Sequence, residues 1–272
     1  MYRGFNLNLG DKNTFQKYYS YGYSIHNDKK EEIKKRFKEY FIENNKSLSG
    51  DVIMDSWFPK GDYHIFLSHS HKDLELALCI AGLLKEKFDL NVFVDSSVWL
   101  NSNDLLKIID DMYCRNGENS TYRYEARNYS TSHVHMMLMN SLNSLINSSE
   151  ALIFLNTPNS ITAKDVIKQE TISPWIFSEI ETSKIINKVT PQRLLKKTKF
   201  FSKSQQDYFS LNESLKSDLQ ISYELELGHL QKISYNDFDA WINHNYYTPE
   251  DALDNLYVQN KLNNIEIDLL IK

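Results

Sequence analysis

Three side chains that recur along one expected helix are the first candidates for chemistry. In TISPWIFSEIETSKII, residues 171–186, Trp175, Glu179 and Ser183 fall at i, i+4 and i+8, which sets an indole, a carboxylate and a hydroxyl on one helix face. A carboxylate fixed in a cleft can offset positive charge that develops on a reacting group, and a neighbouring indole can stack a flat base. The plainer alternative is a surface glutamate on an amphipathic helix with Trp175 as packing. Glu181 is the rival acid, but it lies about 200° from Glu179 on the helical wheel.

A second polar group follows the run YHIFL, residues 63–67: Ser68, His69, Ser70, His71, Lys72 and Asp73. His69 and His71 have the side chains of acid/base residues and equally those of polar lining. Ser68 and Ser70 lack a nucleophile-elbow pattern, which argues against covalent serine chemistry. His133 and His135 flank Val134 with no carboxylate or cysteine at ligand spacing, so no metal site is expected.

The elements that must position these residues read as an α/β chain. Residues 63–67 form a strand, Leu74 to Phe88 a helix, and Asn91 to Val94 a second strand ending at Asp95. Ser96 to Asn103 reads as a loop, Asp104 to Tyr113 as a short helix, and Arg115 to Thr131 as polar and without period. His133 to Ile146 is helical, and Ala151 to Leu155, ALIFL, is the third strand. Strand, turn, helix, strand is the unit of a parallel sheet, whose ligands sit outside the carboxyl ends of its strands. Ser173 is the N-cap and Pro174 the first residue of the Trp/Glu helix, and Ile176, Ile180 and Ile186 are its anchoring stripe.

Residues 1–27 show no clear period, and a helix is expected from Asp28. Leu194 to Phe201 and the alternating ISYELEL, residues 221–227, read as strands. Asp237 to Trp241 and Pro249 to Tyr257 read as closing helices. The expected divisions are an N-terminal helical extension over 1–60, a main domain over 61–245 and a helical tail over 246–272.

The 272 residues suffice for a core without staples. Two cysteines make no disulfide framework: Cys79 reads as core, Cys114 as a polar-loop residue, and a reducing compartment fits both. A net charge of −5 argues against nucleic acid or an anionic membrane as partner. No apolar run is long enough to span a membrane, and the first residues lack a signal-peptide core, so the expected location is the cytoplasm. Neither a P-loop nor a G-x-G-x-x-G pattern occurs, which excludes the common Gly-rich phosphate cradles.

YHIFLSHSHKD at 63–73 resembles the first strand and loop of Toll/interleukin-1 receptor (TIR) domains, and SPWIFSEI at 173–180 resembles their S-x-W-x-x-x-E helix. The resemblance covers residues 61–190 well and 191–245 loosely. It implies a flavodoxin-like parallel sheet flanked by helices. It also implies a bacterial, antiphage-defence (Thoeris-like) type that cleaves NAD at the nicotinamide–ribose bond, with Glu179 as catalytic carboxylate. The implied substrate-binding set is Ser68, His69, Ser70, His71, Asp95, Ser97, Trp99, Ser173 and Trp175. NAD is then a substrate and no cofactor is required.

Nicotinamide leaves a cationic pyridinium as a neutral molecule, so one carboxylate suffices where ordinary glycoside hydrolysis needs two. Water as acceptor gives ADP-ribose, and an internal nucleophile gives a cyclic product. The resemblance further implies homo-oligomers through TIR contacts, the 95–99 loop taking part, and a nucleotide signal for a downstream effector. A scaffold that only recruits other TIR proteins is the alternative class, and a nucleoside deoxyribosyltransferase-like enzyme a third. The missing Gly or Pro after Asp95 and the long 95–151 interval depart from the family pattern.

Overall fold

The computed structural model describes residues 1–10, 14–27, 49–57, 61–94, 96–117, 121–163, 169–195 and 221–259. In chain order these form β1 (Arg3–Asn8), α1 (residues 19–27), α2 (Gly50–Trp57), β2 (Ile65–Ser68), α3 (Leu74–Phe88), β3 (Val92–Val94), α4 (Ser96–Ile109) and α5 (Tyr124–Ser148). There follow β4 (Ala151–Leu155), β5 (Thr162–Ala163), β6 (Gln169–Thr171), α6 (Pro174–Ile185), α7 (Gln192–Leu195), β7 (Tyr223–Glu224), β8 (Gln231–Ser234), α8 (Tyr235–Ile242) and α9 (Pro249–Gln259).

Five strands make one sheet in the order β3-β2-β4-β1-β8, and every pairing is parallel. Successive residues on each strand point to opposite faces, and both faces are covered. Phe5, Leu7, Ile65, Leu67, Ile153 and Leu155 pack on α3, α8 and α9. Phe66, Phe93, Leu152 and Phe154 pack on α5 and α6 on the other side. This double burial is why IFLS and ALIFL are buried at every position. The architecture is α/β, a five-stranded parallel sheet flanked by helices, consistent with a flavodoxin-like fold. A small antiparallel sheet, β5-β6-β7, stands beside it.

Residues 1–60 are not a helical extension alone, because β1 is an interior strand between β4 and β8. Its apolar residues occupy one face only, with Gly4, Asn6 and Asn8 on the other, so it lacks the continuous apolar run of a doubly covered strand. The N-terminal segment is built in further by α1, which crosses α3 at Gly22 and Gly82: a Cβ on Gly22 would lie 2.0 Å from the Leu78 carbonyl oxygen.

Ser96 to Asn103 is helical rather than a loop, and α5 begins at Tyr124, inside the stretch that shows no period. Within ISYELEL only Tyr223–Glu224 is strand, and it belongs to the small sheet; the fifth strand of the main sheet is β8. Residues 192–195 are helical, while 196–201 and the helix expected from Asp28 lie outside the described residues. Cys114 is buried beside Ser130 rather than held in a polar loop. No described helix is long and apolar enough to cross a membrane.

Candidate functional site

The helix carrying Glu179 starts where its sequence signals place it. The Ser173 hydroxyl accepts from the Ile176 N–H at 3.3 Å, and Pro174 follows in the first turn. Buried Ile176 and Ile180 then hold α6 against the sheet, with Ile186 packed beside them.

The helix after β2 packs on one face of the sheet and the helix after β4 on the other. Between two adjacent strands whose connections diverge in this way lies the crevice where open α/β sheets bind ligands. Ser68, the last residue of β2, stands at that crevice. Its hydroxyl donates to Glu179 Oε2 at 2.6 Å, so residues 111 positions apart meet there. Glu181 is only half-buried, as the helical wheel requires.

Glu179 is not at an open cleft: it is 1% exposed. The expectation that the Trp/Glu edge faces a cleft is therefore corrected for Glu179. The stripe of isoleucines draws the whole helix down, and a carboxylate three residues after Ile176 goes down with it.

The rest of the expected set divides. His69 is buried, its Nδ1 3.1 Å from the Leu67 carbonyl oxygen, where the Nδ1–H tautomer donates. Ser70 caps the turn His71–Asp73 by accepting from the Lys72 N–H, and His71 is exposed. Trp175 is half-buried and meets His135 edge to face, with ring centroids 5.8 Å apart. Ser97 and Trp99 lie in α4, and Asp95 lies outside the described residues. Among the described residues no group of His, Cys, Asp and Glu could hold a metal ion.

Two features escape a sequence reading. Asp73 accepts from Thr157 Oγ1 at 2.5 Å and from Asn159 Nδ2 at 2.7 Å, locking the turn after β2 to the turn after β4. Ser183, the third member of the helix face, is buried and donates to the Ile180 carbonyl. Its oxygen also lies 2.8 Å from His229 Nε2. Burial, followed by the nearby charge of Lys188, holds that imidazole down to about 4, hence neutral at pH 7.

Beyond His229 a cavity of about 650 Å³ opens at the carboxyl ends of β1 and β8, lined by Asn6, Asn8, Asn156, Gln169, Lys232 and Ser234. The alternation Phe5-Asn6-Leu7-Asn8 was the signal for it: two amides where a covered strand should carry apolar groups.

Set against known proteins, the chain matches no family model, no curated protein and no solved structure.

Proposed function

We propose that this protein is a TIR-type enzyme that cleaves the nicotinamide–ribose bond of NAD, with Glu179 as the carboxylate that stabilises the ribosyl cation. The observation that carries the reading is the Ser68–Glu179 hydrogen bond. It joins the two segments whose sequences resemble TIR motifs, at the edge where parallel sheets bind ligands.

The chemistry asks little more of the protein than position and charge. Glu179 faces the ribose, offsets the charge left as neutral nicotinamide departs, and orients a ribose hydroxyl. Ser68 fixes one carboxylate oxygen so that the side chain needs no reorganisation as charge develops. The Asp73 lock keeps the turn bearing His69 and Ser70 at the same edge, and Trp175 lies one helical turn before the acid, where a base can stack. Water accepts the ribosyl group to give ADP-ribose, or an internal nucleophile closes a ring.

Because Glu179 is sealed in the single chain, substrate reaches it only after the crevice opens. We place that opening at self-assembly, so the resting protomer is close to inactive. A product that signals to an effector in antiphage defence, in a cytoplasmic setting, completes the reading on the resemblance alone.

Nicotinamide release is to be followed chromatographically over a range of protein concentrations, with and without a crowding agent. Turnover per protomer should rise at least tenfold as assemblies form. Absence of turnover in every assembled state would instead favour the scaffold that only recruits other TIR proteins.

A further inference from the structure

The cavity over β1 and β8 is not part of the Glu179 site. Ser68 pairs in register with Phe154, Phe154 with Asn6, and Asn6 with Lys232. These four residues therefore form one row across the sheet on its α6 side. Asn6 is two strands from Ser68, about 10 Å at the usual strand spacing, and the Phe154 ring belongs to the strand between them. Neither Glu179, Ser68, His69 nor Trp175 lines the cavity.

Its walls are specific about what they accept. Among the described lining residues Lys232 is the single charged one, so this part of the cavity favours a neutral or anionic ligand over a cationic one. Four side-chain amides, from Asn6, Asn8, Asn156 and Gln169, offer donors and acceptors in pairs. Leu225, Leu227 and Gly228 supply an apolar wall and a place without a side chain. Asn6 is 6% exposed, and its Oδ1 has no hydrogen-bond partner among the described residues. A buried amide oxygen left unpaired in an interior strand is destabilising, and a ligand that brings an N–H to it removes that penalty.

We propose that this cavity is a second ligand site, for an adenine nucleoside monophosphate. An adenine edge offers an amino donor beside a ring-nitrogen acceptor, the complement of a side-chain amide. The amino group meets Asn6 Oδ1, and the leucine wall covers a flat face of the base. Lys232, across the register from Asn6, takes the phosphate as a point charge. The volume lies within the range of sites for ligands of this size. The site is independent of catalysis at Glu179, and His229, bonded to Ser183 beside Gly228, connects its wall to the catalytic helix.

Isothermal titration of the full chain with AMP tests the assignment, with IMP, adenosine and inorganic phosphate as comparison probes. AMP should bind one to one. IMP, which has a carbonyl oxygen in place of the amino group, should bind at least tenfold more weakly. Lys232→Ala should weaken AMP about tenfold and leave adenosine unchanged. Asn6→Leu should abolish AMP binding; since Asn6 lies in an interior strand, exposed Lys232 carries the test if that variant does not fold. Glu179→Gln should bind AMP as the wild type does, which separates failure of this site from failure of the catalytic reading. No binding at millimolar AMP would overturn the proposal. So would equal affinity for AMP and IMP, phosphate binding as tightly as AMP, or wild-type affinity in Lys232→Ala.

Discussion

The two ends of the sheet use carboxylates in opposite ways. At the amino end, Glu150 precedes β4 and is held by Arg193 in a two-pronged pair, Nη1 to Oε2 at 2.8 Å and Nη2 to Oε1. The Tyr257 hydroxyl adds a third bond at 2.7 Å, and Arg193 Nε reaches Asp254 at 2.9 Å. Burial works against the Arg193 charge, but the bonds from Glu150 and Asp254 prevail and raise the group above its ordinary range. Burial, then the Glu150 charge, raises the Tyr257 hydroxyl. At the carboxyl end Glu179 accepts from a neutral hydroxyl, and a buried amide oxygen three strands from the β3 edge has no described partner. The Glu150–Arg193–Asp254 group ties α7 and α9 to the sheet. The carboxyl end is where the proposed ligands bind.

Substitutions at the two ends should therefore cost different things. The largest loss of stability is expected from Arg193→Met, which leaves Glu150 without its cation. Both groups retain some exposure, so the cost is about 2–3 kcal/mol in urea unfolding, with turnover per folded molecule unchanged. Equal loss of turnover would merge the two ends into one functional unit. Ser68→Ala removes the hydroxyl bonded to Glu179 and should cost about 1–2 kcal/mol, with turnover lowered several-fold; an unaltered rate would detach Ser68 from the site.

The smallest effect is in the pH profile. His229 titrates near 4 when folded and near 6.5 when unfolded. Between these values the unfolded chain binds more protons, so stability falls as pH is lowered through that window. Allowing for the exposed part of the ring, His229→Gln should flatten the acid limb by about 1 kcal/mol. A slope identical to the wild type would show that burial does not hold this imidazole down.

Much of α6 is legible in the sequence because its signals are local. Ser173, Pro174 and the isoleucine spacing mark its start and its buried face, and the wheel separates Glu179 from Glu181. Depth is not local: that Glu179 lies under the helix rather than at a rim depends on how close α6 approaches β2. The placement of β1 was hidden for a related reason, since a strand interior to a sheet normally advertises itself by apolar residues on both faces. Asn6 and Asn8 break that pattern because one of its faces borders a cavity. ISYELEL misled in the opposite direction: its alternation reflects Leu225 and Leu227 turning inward beside the cavity, with only two residues paired as strand.

The proposed function requires the acid under α6 to do chemistry, whereas the acid before β4 ties helices to the sheet. Nicotinamide release by assembled Glu179→Gln, at a folded-protein concentration matched to wild type, tests it most directly. A fall of at least about 100-fold is expected, with unfolding stability within about 1 kcal/mol of the wild type; turnover within twofold of the wild type would remove Glu179 from the chemistry.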